Sequence, residues 1–438
     1  MISHFKYFLN QNNNYSLGNK LFLIGIFFLP SALPIGGLFL LSALIASVYK
    51  NHKEFFKDKW NYPIILSLGF ILMSTIKITF LDYPIELIDY KKTYIWINLF
   101  NWVPSLLCFW AFQFYLLTKL QRLNFCKFLL FGTLPVLFSC VSQFIFKTYG
   151  PLYTLSGLIV WFQRPIEAGG AVTGLFNNPN YLAFWLSITL PFSLLLLKIS
   201  KNKFERVTFT IISLTIVPFI ILTNSRNGLI SLIITLLLYY GFKKFSLFFF
   251  GGFFLTLITN FSIKYIYPSL SIYQWLENRN ILNKILKINF DYNSSPRIII
   301  FKSSLSFIKE RPLLGWGAST FPHLHSQTLS KVDAQHTHNI FLELAHNFGI
   351  PLSIIIFSSI LFLLIKLFKF VNTSQYKYSF KLLEKSWLIA TFLVLIFHIS
   401  DITYYDGKIN LLISTLLSGA RCILNSNETS TEKYLSNE

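Results

Sequence analysis

Arg297 and His338 stand at the openings of two segments that carry most of this chain's chemically capable side chains. The first segment is SSPRIIIFKSSLSFIKERPLLGWG (294–317) and the second is HTHNIFLELAHNFGIP (336–351). A guanidinium is a planar fork of donors that matches phosphate oxygens. An imidazole titrates near 6.5 and can therefore take a proton from a hydroxyl at neutral pH. Together they suit chemistry on an anionic substrate that carries phosphate oxygens. For His338 alone, the competing reading is an ordinary polar loop residue.

Other residues bear on the same chemistry. Arg226 lies in TNSRNGL, where it reads either as a side chain snorkelling to the membrane interface or as a second anion clamp beside Arg297. Asn177 and Asn180, in GLFNNPNYLAF, read as helix caps or as the lining of a sugar-binding mouth. His398, Asp401 and Asp406, in HISDITYYDGK, read as turn residues or as carboxylates that bind acceptor hydroxyls or orient a histidine. His323 and His325, with His336 and His338, form two H-x-H pairs that on extended chain would each project to one side, a pattern open to zinc. No cysteine and only scattered carboxylates join them, so no metal and no cofactor is expected. Cys108, Cys126, Cys140 and Cys422 are scattered through or beside apolar runs, which indicates neither a disulfide framework nor a thiolate site.

These residues are set in a membrane chain. The 438 residues are 53% hydrophobic and 13% charged, with mean hydropathy +0.54. About ten apolar runs reach the roughly 18 residues that a bilayer-spanning helix needs. An all-α polytopic bundle follows, because in lipid each backbone polar group must be satisfied within its own helix. The net charge of +20 falls mostly in short loops, and no aromatic-basic groove or motif accompanies it, so nucleic acid is not an expected partner. MISHFKYFLNQNNNYS lacks the core and cleavage site of a removable signal peptide.

In chain order, Leu21–Tyr49 reads as two short helices meeting near Pro30 and Pro34. Further spans are expected at about 61–79, 99–118, 125–146, 180–198, 207–224, 228–242, 245–263, 349–369, 386–400 and 408–424. Lysines and arginines collect in alternate loops (50–59, 119–127, 198–206, 243–244, 366–385), which places that side in the cytoplasm. The count is then twelve spans with both termini inside. Four regions result: N-terminal spans (1–263), a large outward loop (264–348), C-terminal spans (349–424) and a cytoplasmic tail (425–438). Within the loop, Ser295 and Pro296 predict a helix start, with Ile298, Phe301, Leu305 and Ile308 on its apolar face and Pro312 as its stop. A second helix should follow Asn339 and end at Gly349. A transporter would carry ionisable groups at mid-span, whereas these span interiors are nearly charge-free, which favours interfacial chemistry on a lipid-borne anion.

GLFNNPN before a span, SRNGL between two spans, and PRIIIFKSSLSFIKERPLLGWG followed by HTHNIFLELAHNFGI resemble the O-antigen ligase/polymerase superfamily of bacterial inner-membrane proteins. His338, Asn339 and Gly349 fit its H-N-x9-G pattern; Leu352 stands where a small residue or tyrosine is common, and His346 where an acid is common. The resemblance implies metal-independent transfer of a glycan from an undecaprenyl-pyrophosphate carrier at the periplasmic face. Arg226 and Arg297 would bind the donor pyrophosphate, His338 would act as base, and Asn177, Asn180, Asn339 and Asp401 would contribute to substrate binding. The acceptor would be a lipid A core for a ligase, or a second lipid-linked repeat unit for a polymerase. One branch of the family is discussed in inorganic-carbon transport, the alternative from another class.

Overall fold

The computed structural model describes residues 16–166, 170–247, 250–251, 295–328, 332–373 and 378–425. Of the described residues 77% are helical, and the one sheet among them is a hairpin, β1 (Leu152–Thr154) against β2 (Ile159–Trp161). Nine helical segments among the described residues are long and apolar enough to cross a membrane, and two shorter apolar helices accompany them. Most of the expected span 245–263 (all but 245–247 and 250–251), the loop from 264 to 294, and the tail beyond Asn425 lie outside the described residues.

The N-terminal apolar stretch forms two helices, α1 (Leu17–Phe28) and α2 (Leu33–Asn51), with Pro30 in the break and Pro34 in the first turn of α2. The next transmembrane segments are α3 (Tyr62–Ile76, carried on to Leu81 by a π turn), then α4 (Lys92–Ile97) and α5 (Val103–Ala111), which 3-10 turns join into one run from Lys92 to Tyr115. That run begins seven residues before the expected 99. α6 (Lys119–Ile145) also starts early, because Thr118 and Gln121 form a capping box that satisfies the first amides.

α7 (Pro179–Ile199) is the central helix: 83% of its apolar window is buried, against 28% for α13 (Ile350–Thr373). Around it stand α8 (Lys203–Leu222), α9 (Arg226–Tyr240), α14 (Tyr378–Ser400) and α15 (Gly407–Asn425). The bundle has two chemically different ends. At one, Arg421 pairs with Asp58, Trp60 donates to the Asn425 side chain, and Lys198 lies over Tyr239 and Tyr240. At the other end lie the acidic loop 82–90, the starts of α7 and α9, the end of α14 and the segment 295–350.

That segment is packed rather than draped. α10 (Pro296–Glu310) buries Ile300, Ser304 and Ile308, while Phe301 and Leu305 stay 45% and 38% exposed. The buried stripe is thus rotated from the expected one, because Phe307 turns inward onto Trp316, Phe321 and His346. Ser295 holds the N-cap position without a side-chain cap bond. α11 (Phe321–Ser326) follows, then α12 (Ile340–Phe348), closed by Gly349. Gly349 has φ +96°, and a Cβ there would lie 2.0 Å from the Leu313 carbonyl oxygen, so only glycine allows α12 and α13 to turn against the 311–315 chain. Backbone hydrogen bonds from Trp316 N to His346 O and from Gly317 N to Asn347 O fix the same junction. Arg311 pairs with Asp82 at 3.1 Å, and Tyr90 donates to Ser319 O, which ties the segment to the acidic loop. Leu352 is fully buried beside Phe348 and Trp102, which makes it a packing position.

Candidate active site

His338 is placed by a turn whose backbone does not relax by itself. Its φ is +55°, a left-handed conformation that costs on the order of 1–3 kcal/mol for a residue other than glycine. The turn is closed on both sides: the His338 N–H donates to Nδ1 of His336 (3.2 Å), and Thr337 Oγ1 donates to the Asn339 carbonyl (2.9 Å). Asn339 then caps α12, its Oδ1 accepting from the N–H groups of Phe341 and Leu342, while its Nδ2 donates to Ile399 O at the end of α14. An asparagine cap contributes about 1 kcal/mol. Here it also fastens the histidine turn to the next element of the site.

That element is the loop after α14. His338 Nδ1–H donates to Oδ1 of Asp401 at 3.1 Å. Asp401 is buried, and its other oxygen accepts from Asn180 Nδ2 at 2.7 Å; Oδ1 also accepts from the Ile402 N–H. Burial pushes the carboxyl up, but the His338 contact and the Ile402 N–H outweigh it and hold Asp401 below the usual carboxylate range. An ionised Asp401 fixes the proton on Nδ1 and leaves the Nε2 lone pair as the basic position. The His338 side chain keeps 31% of its surface exposed, so that nitrogen can be reached from outside.

Of the two open readings of the HISDITYYDGK carboxylates, the structure divides them. Asp401 orients the histidine, and Asp406 caps α15 by accepting from Lys408 N and Ile409 N. His398 is buried, with Nδ1 on the Val394 carbonyl. Capping of α7 falls to Asn178, whose side chain accepts from Asn180 N, while Asn177 is exposed. Arg226 is exposed at the first position of α9, and the adjacent Asn227 accepts from Ser400 Oγ at 2.8 Å, which sets the start of α9 beside Asp401. Arg297 is exposed in the first turn of α10. Among the described residues it makes no contact with the His338–Asp401 pair.

The two H-x-H pairs do not converge. His323 and His325 sit on α11, a helix rather than extended chain, with His325 Nε2 on Val332 O and His323 Nε2 on the Gln327 side chain. The group able to hold a metal among the described residues is instead His336, His338 and Asp401, with ligand atoms within 4.8 Å of one another. Burial and the neighbouring His338 push His336 down to about 4, against the pull of Asp401. The sequence reading passed over Glu343, a fully buried carboxylate between the two loops; a lone acid in the apolar run IFLELAHNF was the available signal.

Below α12, inside the bundle, a cavity of about 160 Å³ is lined by Ile71, Trp102, Phe109, Phe341, Leu344, Leu363 and Tyr404. Its walls are almost wholly apolar, and it reaches from the foot of the His338 helix toward Trp60 at the opposite end of the bundle.

Residues 209–357 match the family model described as O-antigen ligase (Wzy_C). That stretch, about a third of the chain, is a domain of the O-antigen ligase-like superfamily. The matched stretch holds Arg226, Arg297, His338, Asn339 and Gly349, while Asn177, Asn180 and Asp401 lie outside it. No curated protein matches the chain. The O-antigen ligase assignment, with the many apolar helices, makes this a multi-pass membrane protein with a glycosyl-transfer role of the ligase or polymerase type in polysaccharide biosynthesis, acting on lipid-linked glycans.

Proposed function

We propose that the chain transfers a glycan from an undecaprenyl-pyrophosphate carrier to an acceptor hydroxyl, as an O-antigen ligase-like enzyme with a lipid A core as acceptor. The observation that carries the reading is the His338–Asp401 hydrogen bond, which leaves a basic nitrogen accessible at the end of a membrane bundle. His338 Nε2 takes the acceptor's hydroxyl proton as that oxygen attacks the anomeric carbon. The bond from that carbon to the pyrophosphate oxygen breaks, and its electron pair leaves with the lipid pyrophosphate. Arg226 and Arg297 bind the donor pyrophosphate and stabilise the charge as it departs. Asn177, Asn180 and Asn339 belong to the same mouth, Asn180 and Asn339 by holding Asp401 and the histidine turn in place. No metal is needed, since the base and the cations are side chains.

The site is assigned to the periplasmic face of a bacterial inner membrane. The lysine-rich loops at the opposite end of the bundle support that orientation. The apolar cavity beneath α12 supports a substrate that brings a hydrocarbon chain with it. The test compares lipid-linked and surface glycans in cells lacking the gene, with and without the wild-type chain. Long polymer held on the carrier, with none at the surface, is the expected result. Single repeat units alone would assign a polymerase, and an unchanged glycan profile would overturn the reading.

A further inference from the structure

Glu343 is a fully buried carboxylate on α12, and among the described residues no lysine or arginine pairs with it. Its partners include donors from two different loops. Oε2 accepts from the N–H of Thr337 at 2.9 Å, one residue before His338. Oε1 accepts from the Tyr405 hydroxyl at 2.5 Å, four residues beyond Asp401, and from Asn347 Nδ2 at 3.4 Å. Burial pushes Glu343 up, against these hydrogen bonds; burial and the carboxylate together push Tyr405 well above its ordinary value, so the phenol stays a donor. A buried acid without a cation is a poor way to gain stability, because a well-packed apolar side chain in its place is often neutral or better. What an apolar side chain cannot do is bind the two loops to one point.

We infer that Glu343 is a positioning residue that holds His338 against Asp401 by anchoring the loop that carries each. The left-handed turn at His338 needs surroundings that over-determine it, and the buried bond to Thr337 is the one that reaches into the protein core. Tyr405 links that same carboxylate to the 401–406 loop, so a shift of either loop is felt by the other. The inference rests on the transfer reaction proposed above, since it assigns His338 as the base.

The test uses the full chain in detergent with a lipid-linked glycan donor, and the variants Glu343→Gln, Tyr405→Phe, Asp401→Asn and the Glu343→Gln/Asp401→Asn double. Removal of such supporting partners typically costs about 10- to 100-fold, here expected in kcat, with donor KM within about twofold of wild type. The double variant is expected to be no slower than its slower single, because both act through the one histidine. Full kcat in both Glu343→Gln and Tyr405→Phe, losses that multiply in the double, or a raised KM with unchanged kcat would each overturn the proposal. Tyr405→Phe removes one hydroxyl only and serves if Glu343→Gln does not fold. Amide hydrogen exchange over 336–339 reads the anchoring without any turnover. Faster exchange in the variants with no transfer by the wild type would condemn the proposed function and leave the anchoring standing. Unchanged exchange would dismiss the anchoring itself.

Discussion

Nδ1 of His338 lies 3.1 Å from Oδ1 of Asp401, across 63 residues of chain and one complete transmembrane hairpin. The carboxylate is buried and the imidazole is partly open, so the pair has one side for orientation and one for chemistry. A base held this way typically contributes about 10² to 10⁴ in rate. His338→Ala should therefore lower transfer by that order while donor binding persists, measured as turnover against binding of the lipid-linked donor. Asp401→Asn, which keeps the shape and loses the charge, should cost about 10²-fold at unchanged donor affinity. Full activity in His338→Ala would remove the base assignment.

The exposed guanidiniums of Arg226 and Arg297 make a different prediction. If both hold the pyrophosphate, each alanine substitution removes charge-assisted hydrogen bonds worth about 1.5–3 kcal/mol apiece, or roughly 10- to 150-fold in kcat/KM. Lysine should restore only part, because it supplies charge without the bidentate fork. Steady-state kinetics at varied donor concentration decide this, and lysine variants at wild-type efficiency would argue for simple interfacial anchoring.

Metal dependence has a two-sided expectation. Transfer should survive EDTA, since no step is assigned to an ion. Added Zn²⁺ should inhibit, because His336, His338 and Asp401 can close on it and occupy the nitrogen that orients the base. Inhibition that EDTA reverses is the expected outcome. Loss of activity with EDTA alone would mean that the trio is a working metal site.

Acid should loosen the segment around the site. Burial holds His346 down at about 3, and His336 is held at about 4, against the ordinary 6.5 of the free side chain. Between about 6.5 and those values the unfolded chain binds protons that the fold refuses, so the stability these two histidines contribute is present above 6.5 and lost as the pH falls through the window. The thermal midpoint in detergent should drop from pH 7 to pH 4, and His346→Gln should flatten part of that drop. Equal slopes for both proteins would exclude His346 as a contributor.

Gly349→Ala tests the junction between α12 and α13. The added methyl would meet the Leu313 carbonyl oxygen at 2.0 Å in a backbone with φ +96°, and neither strain has a flexible side chain to absorb it. Destabilisation well above the roughly 1 kcal/mol of an ordinary glycine effect is expected, read as a lowered thermal midpoint together with lost transfer.

The amino-acid sequence by itself determined the membrane bundle, because runs of apolar residues in lipid have no other way to satisfy their backbone groups. It also determined α10 up to Pro312 and α12 from Asn339 to Gly349, where proline, asparagine and glycine act through local geometry. Arg226, Arg297 and His338 could be named as candidates from the sequence for a related reason, since the chemistry proposed for them belongs to the side chain. Tertiary structure alone decided which of two acids five residues apart serves His338. Asp401 and Asp406 are alike in type and neighbourhood, and only the meeting of α7, α12 and α14 gives Asp401 to the histidine and leaves Asp406 as a cap. The rotation of α10 was hidden likewise, because Phe301 and Leu305, which stay exposed, are as apolar as Ile300 and Phe307, which face inward. Glu343 was the least legible of all: an acid in an apolar run marks the position but not its partners, which come from 337 and 405 and meet only in the fold.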